Sequence, residues 1–133
     1  MEAENTKDAS DFSFTSRMAF SSLIMTLEKM GVESYHVDMA QQSTCYQMLN
    51  GEVMSESFYF DGKIAQDFDD GEIRSAILDI KQNHLEYKEF LKRIMNAGIV
   101  NYVIYLKGRK IIFYGRNGDS YIENFPLLKL NQH

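Results

Sequence analysis

YKEFLKRIMNAGIVNYVIYLKGRKIIFYGRNGDSYIENF, residues Tyr87 to Phe125, is the stretch whose reading decides the fold. Its apolar residues first recur as Tyr87, Phe90, Leu91 and Ile94, the i, i+3, i+4, i+7 spacing that lays one stripe along a helix. Asn83, with Glu86 three residues on, predicts a capping-box start for that helix. Gly98 then stands where a helix ends in left-handed backbone, which is cheap only without a Cβ. Beyond it the apolar period falls from 3.6 to 2. Strands are expected near Val100 to Leu106 and Lys110 to Tyr114, then a turn at Asn117-Gly118, then a strand from Ser120 to Asn124. The unit is one helix followed by a three-stranded meander.

Shifted by 67 residues, Phe20 to Phe58 reads the same way without a gap. The identical pairs are Gly31 and Gly98, Tyr35 and Tyr102, Asn50 and Asn117, Gly51 and Gly118, Glu56 and Glu123, and Phe58 and Phe125. They fall at helix ends and turn centres, where local geometry constrains the residue most. The apolar positions agree as well: Leu23 with Phe90, Ile24 with Leu91, Leu27 with Ile94, Val37 with Ile104, Cys45 with Ile112. Asn50-Gly51 is the strongest short hairpin signal, after a strand expected from Ser43 to Leu49. Between the two units, Ile73, Ala76, Ile77 and Ile80 predict a further helix over Asp69 to Gln82, with acidic residues at its N-terminal end.

The expected fold is therefore α+β: two tandem helix-plus-three-stranded-meander repeats around an antiparallel sheet, with an extra helix between them. The repeats span 16–60 and 69–126 within a single domain over 16–126. Residues 1–15 read as a flexible acidic segment, poor in helix formers, and 127–133 as a tail. The second repeat is apolar on both sides of its strands, at Val103, Tyr105 and Lys110 to Tyr114. Such strands are normally covered on both faces. The favoured reading is one continuous sheet with helices on both faces; a homodimer through the outer face is the other.

Composition bounds the function. An apolar fraction of 44% and an aromatic fraction of 13% in 133 residues support a globular domain with its own core. No apolar run approaches the roughly 20 residues of a membrane span. Met1 to Asp8 is polar and acidic, unlike a secretory leader, so a cytoplasmic location is expected. Cys45 is the sole cysteine, which excludes an internal disulfide or thiolate cluster; it reads as a buried inert thiol. The net charge of −5 conceals an acidic front and a back part rich in lysine and arginine between Lys81 and Arg116.

The succession Tyr87, Phe90, Ala97-Gly98-Ile99, Tyr102, Phe113-Tyr114-Gly115, Asn117-Gly118, Glu123 and Phe125-Pro126, with Met30-Gly31-Val32 and Tyr35 before it, resembles the YdfO/YbcV-like family of uncharacterised bacterial and prophage proteins. The likeness covers about residues 18 to 126. It departs at the front, where that family carries a clear first helix and this chain is rich in Ser and Asp. The resemblance implies a small cytoplasmic bacterial or phage-derived protein and lends no activity.

No residue set compels a chemistry. His36 and Asp38 lie two apart on one strand face, and Cys45 follows on the next strand. A Cys-His-Asp nucleophile set would need them together, but the strand alternation places Cys45 inward and the other two outward. The histidines His36, His84 and His133 have no metal-site spacing, and Asp61, Asp67, Asp69, Asp70 and Glu72 lack the alternation of a calcium loop. Gly115 to Gly118 reads as a turn, not a phosphate loop. The basic hairpin Lys107, Arg109, Lys110, Tyr114 and Arg116 has the make-up of a partner or nucleic-acid surface. Tyr35, Tyr46 and Tyr102, with Tyr114, are candidates to line a ligand pocket between the repeats. The expected function is a non-enzymatic, prophage-type accessory protein that binds another macromolecule, with a protein as the expected partner. No cofactor and no metal are called for. A small-molecule site or enzyme between the repeats, and nucleic-acid binding through the basic hairpin, are the alternatives.

Overall fold

The computed structural model describes residues 20–82 and 85–125. The expected flexible segment 1–15, His84, the Asn83 cap and the tail 127–133 lie outside the described residues. Within them the order is α1 (Phe20–Lys29), β1 (Val32–Asp38), β2 (Ser43–Met48), β3 (Val53–Ser57), α2 (Asp70–Lys81), α3 (Tyr87–Asn96), β4 (Ile99–Tyr105), β5 (Lys110–Gly115) and β6 (Ser120–Asn124). The fold is α+β, with three helices and one six-stranded antiparallel sheet among the described residues. No helix among them is long and apolar enough to cross a membrane.

The strands lie in the order β3-β2-β1-β4-β5-β6, so β1 and β4 meet at the centre. Their register sets Val37 opposite Tyr102, His36 opposite Val103 and Tyr35 opposite Ile104. The outer ladders also correspond. Register shifts fall between Val32 and Ser34 in one and between Ile99 and Asn101 in the other. The turn glycines take left-handed φ, 93° at Gly51 and 88° at Gly118, as a tight hairpin requires.

Each helix ends where its residues dictate. Helix α2 starts on Asp69, whose Oδ1 accepts the Glu72 amide at 3.1 Å. Helix α3 starts one turn later than its sequence predicts. Its N-cap is Glu86, which forms a capping box with Glu89; the Glu86 amide donates to Glu89 Oε1 at 3.2 Å. Glu86 is thus the cap itself, and Glu89 takes the role expected of Glu86.

The core lies between the helices and one face of the sheet. Leu23, Ile24 and Leu27 of α1, Ile73, Ile77 and Ile80 of α2, and Phe90, Leu91 and Ile94 of α3 are buried. They cluster with Tyr35, Val37, Tyr46, Tyr102, Ile104, Ile111 and Phe113. Residues directly opposed in an antiparallel ladder share a face, so these seven define the helix-covered side. The described helices all bury their stripes on this one side; the expectation of helices on both faces also concerns residues outside those described. The segment 60–68, which has neither helix nor strand, also packs at the margin of the core through Phe60, Ile64 and Phe68. Arg93 ties α3 to α2, its Nε 2.8 Å from Glu72 Oε2 and its Nη1 2.6 Å from Asp79 Oδ2.

Candidate functional site

Two surfaces stand out among the described residues. The first is the face of the sheet that no described helix covers, the open face. His36 stands directly opposite Cys45, and Val103 opposite Ile112. Cys45 is therefore half-buried on the same face as His36 and Asp38, not in the core. The reason is register: Tyr35 pairs with Tyr46, so the inward residues of β2 are Thr44 and Tyr46, and Cys45 falls between them. Proximity does not link the trio. Ser34 Oγ lies 2.9 Å from His36 Nε2 and donates to Gln47 Oε1 at 3.2 Å. Asp38 Oδ1 accepts the Gln41 amide at 3.0 Å and so serves the turn. Burial holds the His36 imidazole below its ordinary pKa.

The β1–β2 half of this face is polar, and the β4–β6 half is apolar. Val103, Tyr105, Ile112, Tyr114 and Ile122 line the latter, with Val103 buried, Tyr105, Ile112 and Tyr114 half-buried and Ile122 52% exposed. Lys110 and Tyr114 of the expected basic surface lie here, both half-buried.

The second surface is an open groove of about 500 Å³ between the C-terminal end of α1 and the β4–β5 turn. Val32, Leu49 and Leu106 supply apolar lining; Glu28, Glu33, Lys107 and Arg109 supply charge. Arg109 governs it. The residue sits in the left-handed region at φ 58°, which fixes where its side chain leaves the turn. Its guanidinium carbon lies 5.9 Å over the Phe125 ring. Nη1 is 3.1 Å from Glu28 Oε2, an ion pair without an aligned hydrogen bond. A groove lined in this way offers ion pairing and apolar contact to a ligand.

The structure therefore divides the basic hairpin. Lys107 and Arg109 belong to the groove, Lys110 and Tyr114 to the open face. Arg116 is committed elsewhere: its Nη2 donates to the Ile64 carbonyl at 2.7 Å and its Nε to the Ala65 carbonyl at 3.1 Å. The tyrosines expected to line a pocket are packed in the core, Tyr35 2%, Tyr46 9% and Tyr102 1% exposed. They line neither this groove nor the narrow apolar seam beside Ile77, Phe90 and Ile111. Tyr46 donates to Glu56 Oε1 at 3.3 Å. Among the described residues no three His, Cys, Asp or Glu side chains converge as a metal set. Sequence reasoning missed Glu28, Glu33 and Leu49, because nothing local relates a helix end to a turn some eighty residues later. The one available signal was Arg109 itself, matched to Gln42 by the 67-residue shift.

No curated protein matches the chain. The family model described as a protein of unknown function, DUF1398, matches residues 12–124 and so takes in both helix-and-meander halves. The chain belongs to that family.

Proposed function

We propose that this protein is a non-enzymatic accessory protein of prophage type, acting in the cytoplasm by binding another protein through the apolar half of its open sheet face. The observation that carries the reading is the contrast across that face. Where β1 and β2 turn His36, Asp38 and Cys45 outward, β4 and β5 turn out Val103, Tyr105 and Ile112. Aromatic and aliphatic residues on a sheet face that no described helix covers, beside a single lysine, have the make-up of an interface centre. The partner it fits is a protein with an apolar patch rimmed by carboxylates, which would meet Lys110.

Cys45 provides the test, being the only cysteine and placed on this face. A thiol-linked photo-crosslinker at Cys45 is expected to give one defined adduct in cells, and Ile112→Lys or Ile122→Lys to abolish it. Adduct formation indifferent to both substitutions would end the reading.

We also infer that the framework is an internal duplication with a 67-residue offset. Supporting it, Gln42 and Arg109 are the non-glycine residues of positive φ among those described, at 55° and 58°. Their carbonyls accept the equivalent amides of Phe58 and Phe125 at 2.9 and 3.0 Å. The central crossings correspond too, Met39 to Val100 at 2.9 Å and Leu106 to Glu33 at 3.2 Å.

A further inference from the structure

The groove beside Arg109 has a counterpart in the other half, and there the chain fills the place itself. Shifting by 67 residues carries Arg109 onto Gln42, Leu49 onto Arg116 and Glu28 onto Met95. At that place a strap of residues 60–65 crosses from the β1–β2 turn to the end of α3. Gln42 clamps its start: Nε2 donates to the Phe60 carbonyl at 2.8 Å, and the Phe60 amide donates to Oε1 at 3.2 Å. At the far end the Ala65 amide donates to the Met95 carbonyl at 2.9 Å. Arg116 holds the carbonyls of Ile64 and Ala65. The strap is thus bound by its backbone at both ends.

In the first half the same place is the open groove of about 500 Å³. Its end residues differ in a way that selects an occupant. Gln42 offers a donor and an acceptor to the backbone of one residue, Phe60, whereas a guanidinium offers donors alone, in a fork that fits a carboxylate. Arg109 Nη1 is paired with Glu28 Oε2 at 3.1 Å without an aligned hydrogen bond, so a better-aligned carboxylate competes with Glu28 for the guanidinium. At the other end Leu49, 61% exposed, replaces the carbonyl-binding Arg116 with an apolar contact.

We propose that this groove docks a short peptide segment of a partner protein, laid across it as the strap 60–65 is laid in the other half. The segment carries a carboxylate that takes Arg109 from Glu28, and an apolar side chain about three residues later that covers Leu49, the spacing of Asp61 and Ile64 in the strap. This goes beyond the open-face reading and rests on the duplicated framework proposed above. Backbone recognition with a charged anchor is a recurrent mode of peptide binding.

The probe is a fluorescein-labelled peptide copying residues 58–66, which carries Asp61 and Ile64, titrated into the full chain by anisotropy. Saturable binding is expected, at least fivefold weaker for the peptide with Asp61→Asn, and lost with Arg109→Glu. Leu49→Glu, at a position 61% exposed, is expected to weaken it at least fivefold with an unchanged circular-dichroism spectrum. Equal binding of both peptides, or binding indifferent to Leu49→Glu, overturns the proposal. So does a chain ending at Phe125 that binds when the full chain does not, since the groove would then be filled from within. Hydrogen exchange at the Phe60 and Ala65 amides of Gln42→Ala tests the strap separately. Faster exchange there without peptide binding overturns the groove proposal and leaves the duplication standing.

Discussion

Gly31 and Gly98 hold the same place in the two halves, at φ 82° and 87°, yet only one has room for a side chain. A Cβ on Gly31 would meet nothing within 4 Å. One on Gly98 would collide with the carbonyl oxygen of Asp67 and come within 2.9 Å of its carbonyl carbon. The chain passes there because the Asp69 amide donates to the Ala97 carbonyl at 2.9 Å, pinning the end of the 60–68 segment to the end of α3.

Gly31→Ala is therefore expected to cost about 1 kcal/mol, the ordinary penalty of left-handed backbone. Gly98→Ala adds a backbone clash and should cost roughly 3 kcal/mol or more. Urea unfolding of the two variants separates them; equal losses would mean that the segment yields freely.

Arg93 is the next test, because it joins α2 to α3 through two carboxylates. Hydrogen bonds first to Asp79 and then to Glu72 raise its pKa further, so it stays charged throughout. With its side chain 26% exposed, the network is partly screened by solvent. Arg93→Met should lower stability by about 1 kcal/mol. The difference from the wild type should shrink in 1 M salt, where the Debye length is about 3 Å. A loss that salt does not change would assign the role to packing of the side-chain stem.

His36 gives the chain a pH dependence whose sign follows from burial. Its native pKa lies below the unfolded one, so the folded state binds the proton less readily than the unfolded state. Stability is full above the unfolded pKa of about 6.5 and falls as pH drops from there through the native value. His36→Gln, which preserves a partner for Ser34, should flatten the urea midpoint between about pH 7.5 and 5 relative to the wild type. An unchanged slope would clear His36 of that role.

Tyr102 carries a buried hydroxyl without a hydrogen-bond partner among the described residues. Burying such a group costs free energy that phenylalanine does not incur. Tyr102→Phe is expected to be neutral or to stabilise by up to about 1 kcal/mol, read as an unchanged or raised melting temperature. A clear loss of stability would show that the hydroxyl is satisfied, for instance by an enclosed water.

Much of this architecture was legible because its signals are local. The strand Ser120–Asn124 and the helix over 70–81 follow from periodicity, from Asp69 as a cap and from the Asn-Gly turns. The start of α3 was misplaced because Asn83-Glu86 and Glu86-Glu89 are both plausible boxes, and only the packing of Tyr87 as its first buried residue chooses between them. The parity of Cys45 is not legible in the sequence for a related reason. Thr44-Cys45-Tyr46 alternates under either assignment, and only pairing with Tyr35 settles which residues face the helices.

The chain by itself determined the elements, their order and their turns, since each depends on residues a few positions apart. Tertiary structure alone decided the rest: that the described helices gather on one side, that Arg116 is spent on the strap, and that Arg109 meets Glu28, 81 positions away in chain order. Those outcomes depend on which surfaces meet when β1 pairs with β4. That choice depends on apolar surfaces from distant parts of the chain burying one another together, and no short window of sequence contains it.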